Sequence, residues 1–219
     1  MIRRIIRWTV LLFAAFYSFV TLSLICMRYL DPWFTAVHLQ RRVESWFAKG
    51  AYHKKYTPVP LKRISPHLQH AVIAAEDGRF YAHHGFDWAE IKEAIDEDLE
   101  EGRFRGASTI SQQLVKNLYL TTRGSFFRKG LEFTIVPLAE RILGKQRILE
   151  LYLNVIEWGP GVYGAQAAAQ FDYKIPASTL NREQAARLAA VLPSPRRRRP
   201  ARMNEYGAII LDRMARMGW

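Results

Sequence analysis

AVIAAEDGRFYAHHGFDW, residues Ala71 to Trp88, is the stretch on which the rest of the chain turns. An unbroken apolar run leads straight into Glu76 and Asp77, although burying charge is costly. A carboxylate at the end of an apolar helix is partly desolvated, and an adjacent acid adds like-charge repulsion. Both effects raise its pKa toward that of a useful general base. The ordinary alternative is a water-exposed acid pair at a helix end. The stretch therefore predicts a buried helix over His67 to Ala75 that delivers Glu76 to a site. His83 and His84 lack any metal-binding spacing, which makes the imidazole structural or substrate-orienting. Gly85 permits a turn. Asp87 and Glu90 form a capping pair for an amphipathic helix over 87–101, with Trp88, Ile91, Ala94, Ile95 and Leu99 on one face.

Upstream, Trp8 to Met27 carries no charged side chain, and about 20 apolar residues span a bilayer as a helix. Arg3, Arg4 and Arg7 precede the run and only Arg28 follows closely, which keeps the N-terminus cytoplasmic and the body on the far side. "SLICMRYLDP" offers no small-residue cleavage site, so an uncleaved anchor is expected rather than a signal peptide. Cys26, the only cysteine, forms no internal disulfide and reads as an apolar filler of the span. The expected organisation is a cytoplasmic tip at 1–7, a transmembrane helix at 8–28, a juxtamembrane segment at 29–54 and a catalytic domain at 55–219. At 219 residues, 49% of them hydrophobic, the chain supports one cored domain and excludes disorder. A net charge of +12 suits anionic lipid, pyrophosphate or nucleic acid without choosing among them.

Beyond the proline-marked linker "YTPVPLKRISP", nearly everything reads as helix. After a basic turn at Gly102–Gly106, helices are predicted over Thr109–Leu120, with Thr109 and Gln112 as a capping pair, and over Arg128–Leu143, with a kink or break at Pro137. Further helices are expected over Lys145–Asn154, after the turn in "EWGPGVYGAQAAAQ", over Asn181–Leu192 and over Met203–Met217. No run of alternating strand residues is evident.

Two segments supply binding chemistry. In "GASTISQQLVKNLYL", Gly106 to Leu120, Ser108, Thr109, Gln112, Gln113, Lys116 and Asn117 are polar and most share a helix face. Neutral donors and acceptors with one cation suit a sugar bearing phosphate; an ordinary solvated face would carry Glu and Lys. In "TTRGSFFRKGLEF", Arg123, Arg128 and Lys129 precede Glu132. Such cations neutralise a diphosphate leaving group, arginine bidentately and lysine as a point charge. Phe126 and Phe127 beside them fit a membrane interface or a core equally well.

"EDGRFYAHHG", "GASTISQQLVKN", "RKGLE", "RILELYLN" and "GPGVYGAQAAA" stand in the order seen in peptidoglycan glycosyltransferases of family 51, and the chain resembles that family over about 55–215. No S-x-x-K or K-T-G motif is present, so it looks like a monofunctional member. The resemblance implies a mainly α, lysozyme-like domain with a small membrane-proximal jaw, on the periplasmic side of a bacterial inner membrane. It implies polymerisation of lipid II, a disaccharide-pentapeptide on undecaprenyl diphosphate, into β-1,4 glycan with inversion. By position, Glu76 matches the catalytic base and Glu132 a second essential acid. Lys116, Arg128 and Lys129 match diphosphate-holding positions, with Arg123 in the same basic segment. Asp77, Phe80, His83, Ser108, Thr109, Gln112, Gln113 and Asn117 match the cleft. Ser111 replaces a threonine common among relatives, and the Arg196–Arg199 run is unusually basic. The implied partners are lipid II, the growing glycan, the bilayer, and cell-wall synthases or division proteins, with no nucleic acid. No cofactor is required. Pyrophosphate binds magnesium readily, so a divalent cation, Mg or Mn, could assist, but no metal cage is present.

Two other readings compete. A lysozyme-like wall-cleaving enzyme would use Glu76 as general acid, but a finished glycan carries no diphosphate for the cations to hold. A non-catalytic anchored scaffold leaves the Ser-Thr-Gln-Gln-Asn face unexplained.

Overall fold

The computed structural model describes residues 1–47, 52–101, 108–122 and 124–219. The Leu99 side chain, the Gly102–Gly106 turn and Arg123 lie outside the described residues and side chains.

The apolar N-terminus forms one helix, α1 (Ile2–Met27), whose first half is bare on every side. Its last turns dock instead. Val20 and Leu24 are fully buried, and Tyr17 and Ser23 hydrogen-bond Thr134 (2.5 Å) and Tyr119 (2.6 Å) of the body. A span and a docking helix thus share one element. The segment after it is not a free tether: α2 (Ala36–Trp46), capped by the Thr35 hydroxyl, packs on the body, and its Arg41 pairs with Glu157 at 2.9 Å.

The predicted helices follow closely. Pro66 sits in the first turn of α3 (Pro66–Glu76), where its missing N–H costs nothing. Leu68, Ala71, Val72, Ile73 and Ala74 of α3 are buried. α4 (Trp88–Glu101) starts at Asp87, whose carboxylate accepts the Glu90 N–H at 3.0 Å. α5 (Ile110–Tyr119) has the full Thr109/Gln112 capping box. α6 (Phe126–Leu143) begins earlier than predicted because Ser125 caps it. It is not broken at Pro137, which lies on an exposed face where water can meet the carbonyl that loses its partner. α7 (Lys145–Val155), α8 (Ala165–Asp172), α9 (Arg182–Ala189, with the Asn181/Gln184 capping box) and α10 (Asn204–Arg216) complete the fold. α3 packs against α9 and α10, and α5 lies against both α6 and α7.

The sequence reading found no strand, yet a three-stranded sheet is present: β1 (Lys55–Tyr56), β2 (Glu157–Gly159) and β3 (Val162–Tyr163), in the order β1-β3-β2. β1 runs parallel and β2 antiparallel to β3. Strands of two or three residues are too short to show alternation. Beyond β1, the linker is held by α7: Asn154 bonds both backbone groups of Val59, at 3.0 and 2.8 Å, and Glu150 accepts the Leu61 N–H.

Gly85 is required by its backbone. Its φ is +96°, and an added Cβ would sit 2.4 Å from Val136 Cγ1. Gly85→Ala should therefore lower stability by about 2–3 kcal/mol, measured by thermal unfolding.

Candidate active site

α3 carries Glu76 to the edge of an open groove of about 780 Å3. Glu76, Asp77, Ser108, Thr109, Gln113 and Lys116 line it on one side, and Tyr206, Arg213 and Arg216 from the α10 side complete it.

The Glu76 carboxylate accepts a hydrogen bond from Gln113 Nε2 at 2.7 Å. Gln113 Oε1 accepts from the Tyr152 hydroxyl at 3.0 Å. Tyr152 is buried in α7 and fixes which end of the amide faces the glutamate. Burial holds the Glu76 carboxyl above the ordinary glutamate range; Gln113, Lys116 and Arg198 pull it back, and Asp77 pushes it further up. The environment is that of a proton acceptor kept dry but not neutralised.

Asp77 braces the wall. One oxygen accepts the Ile110 N–H at 2.9 Å, tying the end of α3 to the start of α5, and the other meets His83 Nε2 at 2.9 Å. The Gly85 N–H donates to His83 Nδ1, so the ring proton lies on Nε2 and points at Asp77. Phe80 is fully buried beside His83, with Lys145 over its ring. Phe80, His83 and Gln112 thus stand behind the groove surface as supports. Asn117 is buried and donates to the Gln113 carbonyl of its own helix.

The cationic half gathers on the first turns of α6. Glu132 is buried at 2% exposure and pairs with Arg128, and with Lys129 at 3.0 Å. Spacings of four and three residues bring both cations onto its face of the helix. Lys116 reaches across from α5. Its ammonium pKa is lowered, first by burial and also by Arg128 and Lys129, while Glu132 and Glu76 pull it upward. Lys116 thus sits within electrostatic reach of both glutamates. Phe126 and Phe127 are not core: they are 100% and 69% exposed.

Asp77, His83 and Asp87 bring one donor atom each within 4.8 Å of one another. They do not suit a resident metal. Asp87 already holds Arg79 through both oxygens and caps α4, and Asp77 is doubly engaged. A cation there would have to displace a guanidinium.

Tyr152 and the α10 arginines escape sequence reading. Tyr152 lies in the "RILELYLN" block, but nothing local says that its hydroxyl meets Gln113. Arg198 belongs to the basic run, whose charge reaches Glu76 only through the fold.

A family model described as Transglycosylase matches residues 42–215. The biosynthetic peptidoglycan transglycosylase of Pseudomonas putida GB-1 is 44% identical over 219 residues, covering 100% of this chain and 89% of its own. The protein of the same name from Ectopseudomonas mendocina ymp is 44% identical over 201 residues, 90% of this chain and 83% of its own. That of Dechloromonas aromatica RCB is 53% identical over 161 residues, 71% of this chain and 70% of its own. With its helical fold, its anchor helix and a glutamate at the groove, this chain belongs to the transglycosylase family.

Proposed function

We propose that this membrane-anchored transglycosylase is a peptidoglycan glycosyltransferase of cell wall biosynthesis, and that it polymerises lipid II. The Glu76 carboxylate takes the proton from the acceptor sugar's 4-hydroxyl as that oxygen attacks the anomeric carbon of the donor chain. The bond from that carbon to the diphosphate breaks with inversion, and its electron pair leaves on undecaprenyl diphosphate. Lys116, Arg128 and Lys129 face the charge that develops on the leaving group. Glu132 acts on this side by holding Arg128 and Lys129 in place. Any divalent cation that assists would arrive with the diphosphate, since Asp77 and Asp87 are already committed.

One observation carries this reading: Glu76 and Lys116 line the same groove, and the charges of Arg128, Lys129 and Glu132, an ion-paired cluster on α6, also act on the Lys116 ammonium. A base and a leaving-group cradle are thereby joined across one residue. The anchor adds a reason for the geometry. Exposed Trp33, Phe34, Trp46, Phe47, Phe126 and Phe127 would seat the body at the bilayer interface, where the lipid-linked substrate resides. With Arg3, Arg4 and Arg7 ahead of the span, the catalytic body would lie on the periplasmic face of the inner membrane.

Purified full-length protein with labelled lipid II should yield a lysozyme-sensitive polymer, and Glu76→Gln should not. Release of muropeptides from finished peptidoglycan instead would assign the groove to wall cleavage. No turnover on either substrate would leave an anchored scaffold.

A further inference from the structure

The groove continues past Glu76 to α10, where Arg213 and Arg216 face it, one helical turn apart. Arg213 is half-buried and its side chain has no hydrogen bond or ion pair among the described residues. Among the described residues Arg216 meets only Asp212, at 2.6 Å, on the open surface. Beside them, Arg198 lies over the Tyr206 ring, 5.2 Å from its centroid, and Tyr206 also lines the groove. A second cationic region therefore borders the groove, on other elements than the Lys116–Arg128–Lys129 cluster.

The two regions meet different parts of a lipid-linked substrate. α1 packs on α6, while α10 packs on α3 and α9. A diphosphate esterified to a membrane lipid stays near the anchor side. The anions that reach α10 are those carried outward by the sugars, namely the carboxylates of the stem peptides. Resting on the lipid II reading above, we infer that Arg213 and Arg216, backed by Arg198 and Tyr206, bind stem-peptide carboxylates of the substrate and so set a preference for charged stems.

The test compares polymerisation by the full-length chain of lipid II with free stem carboxylates and of the same molecule with those carboxylates amidated. Exposed charge pairs are individually weak, so the expected wild-type preference is about fivefold in KM for the charged form. Arg213→Met/Arg216→Met should bring that ratio to about one, and Arg213→Lys/Arg216→Lys should restore most of it. The Met pair should keep its unfolding temperature, because neither arginine holds the core together. A wild-type ratio of one, or a Met pair that keeps the wild-type ratio, would overturn this inference alone. Failure of the wild type to polymerise either substrate would overturn the lipid II reading and the inference with it.

Discussion

The end of α3 and the first turns of α6 each present a glutamate to the same neighbourhood, and their surroundings are opposite. Glu76 receives one neutral amide hydrogen bond and is raised by burial. Glu132 is more deeply buried but is clamped between Arg128 and Lys129. The first is left able to take up a proton; the second is occupied in holding two cations. Identical side chains acquire different chemistry because one is desolvated with weak partners and the other is ion-paired.

The strongest way to break this contrast is at Glu76 itself. Glu76→Gln keeps the shape and an acceptor for Gln113 but removes the base, and should reduce lipid II polymerisation by about a thousandfold or more. Next, Lys116→Met removes the charge that joins the two halves. A loss of about a hundredfold in kcat/KM is expected, concentrated in kcat if the lysine acts on the leaving group. Tyr152→Phe leaves both halves in place but frees the Gln113 amide to turn. A drop of about tenfold in kcat at nearly constant KM should follow in steady-state assays.

The contrast also makes a stability prediction of smaller size. Because the folded state raises the Glu76 pKa, the fold binds that proton more tightly than the unfolded chain does. The carboxyl therefore favours the fold at low pH, and that contribution is lost as pH rises through the folded value. Glu76→Gln should accordingly melt above wild type near pH 8 in thermal unfolding, because the variant carries no buried charge there. The gap should close as pH falls toward the ordinary glutamate value of about 4.3.

Much of this is legible in the amino-acid sequence because it is local. Thr109 with Gln112 and Asn181 with Gln184 announce helix starts over three residues, and the apolar run before Glu76 announces a dry carboxylate. What escapes depends on distant contact. β1 pairs with β3 across about a hundred positions, and the strands are too short to leave a periodic trace. Gln113 and Tyr152 meet only because α5 lies against α7. Arg213 and Arg216 look like an ordinary charged helix face until α10 is placed beside α3. Pro137 shows the reverse: the break it signals is absent, because the helix turns that residue toward solvent.

The central claim is that a desolvated Glu76, tempered by Gln113, is the base. The most direct measurement is the pH dependence of kcat/KM for lipid II polymerisation in wild type and in Gln113→Ala. The acid limb should lie above the ordinary glutamate value of about 4.3. It should move to still higher pH in Gln113→Ala, because the hydrogen bond that favours the charged form is gone. An acid limb at the ordinary glutamate value, or one that stays put when Gln113 is removed, would contradict the account.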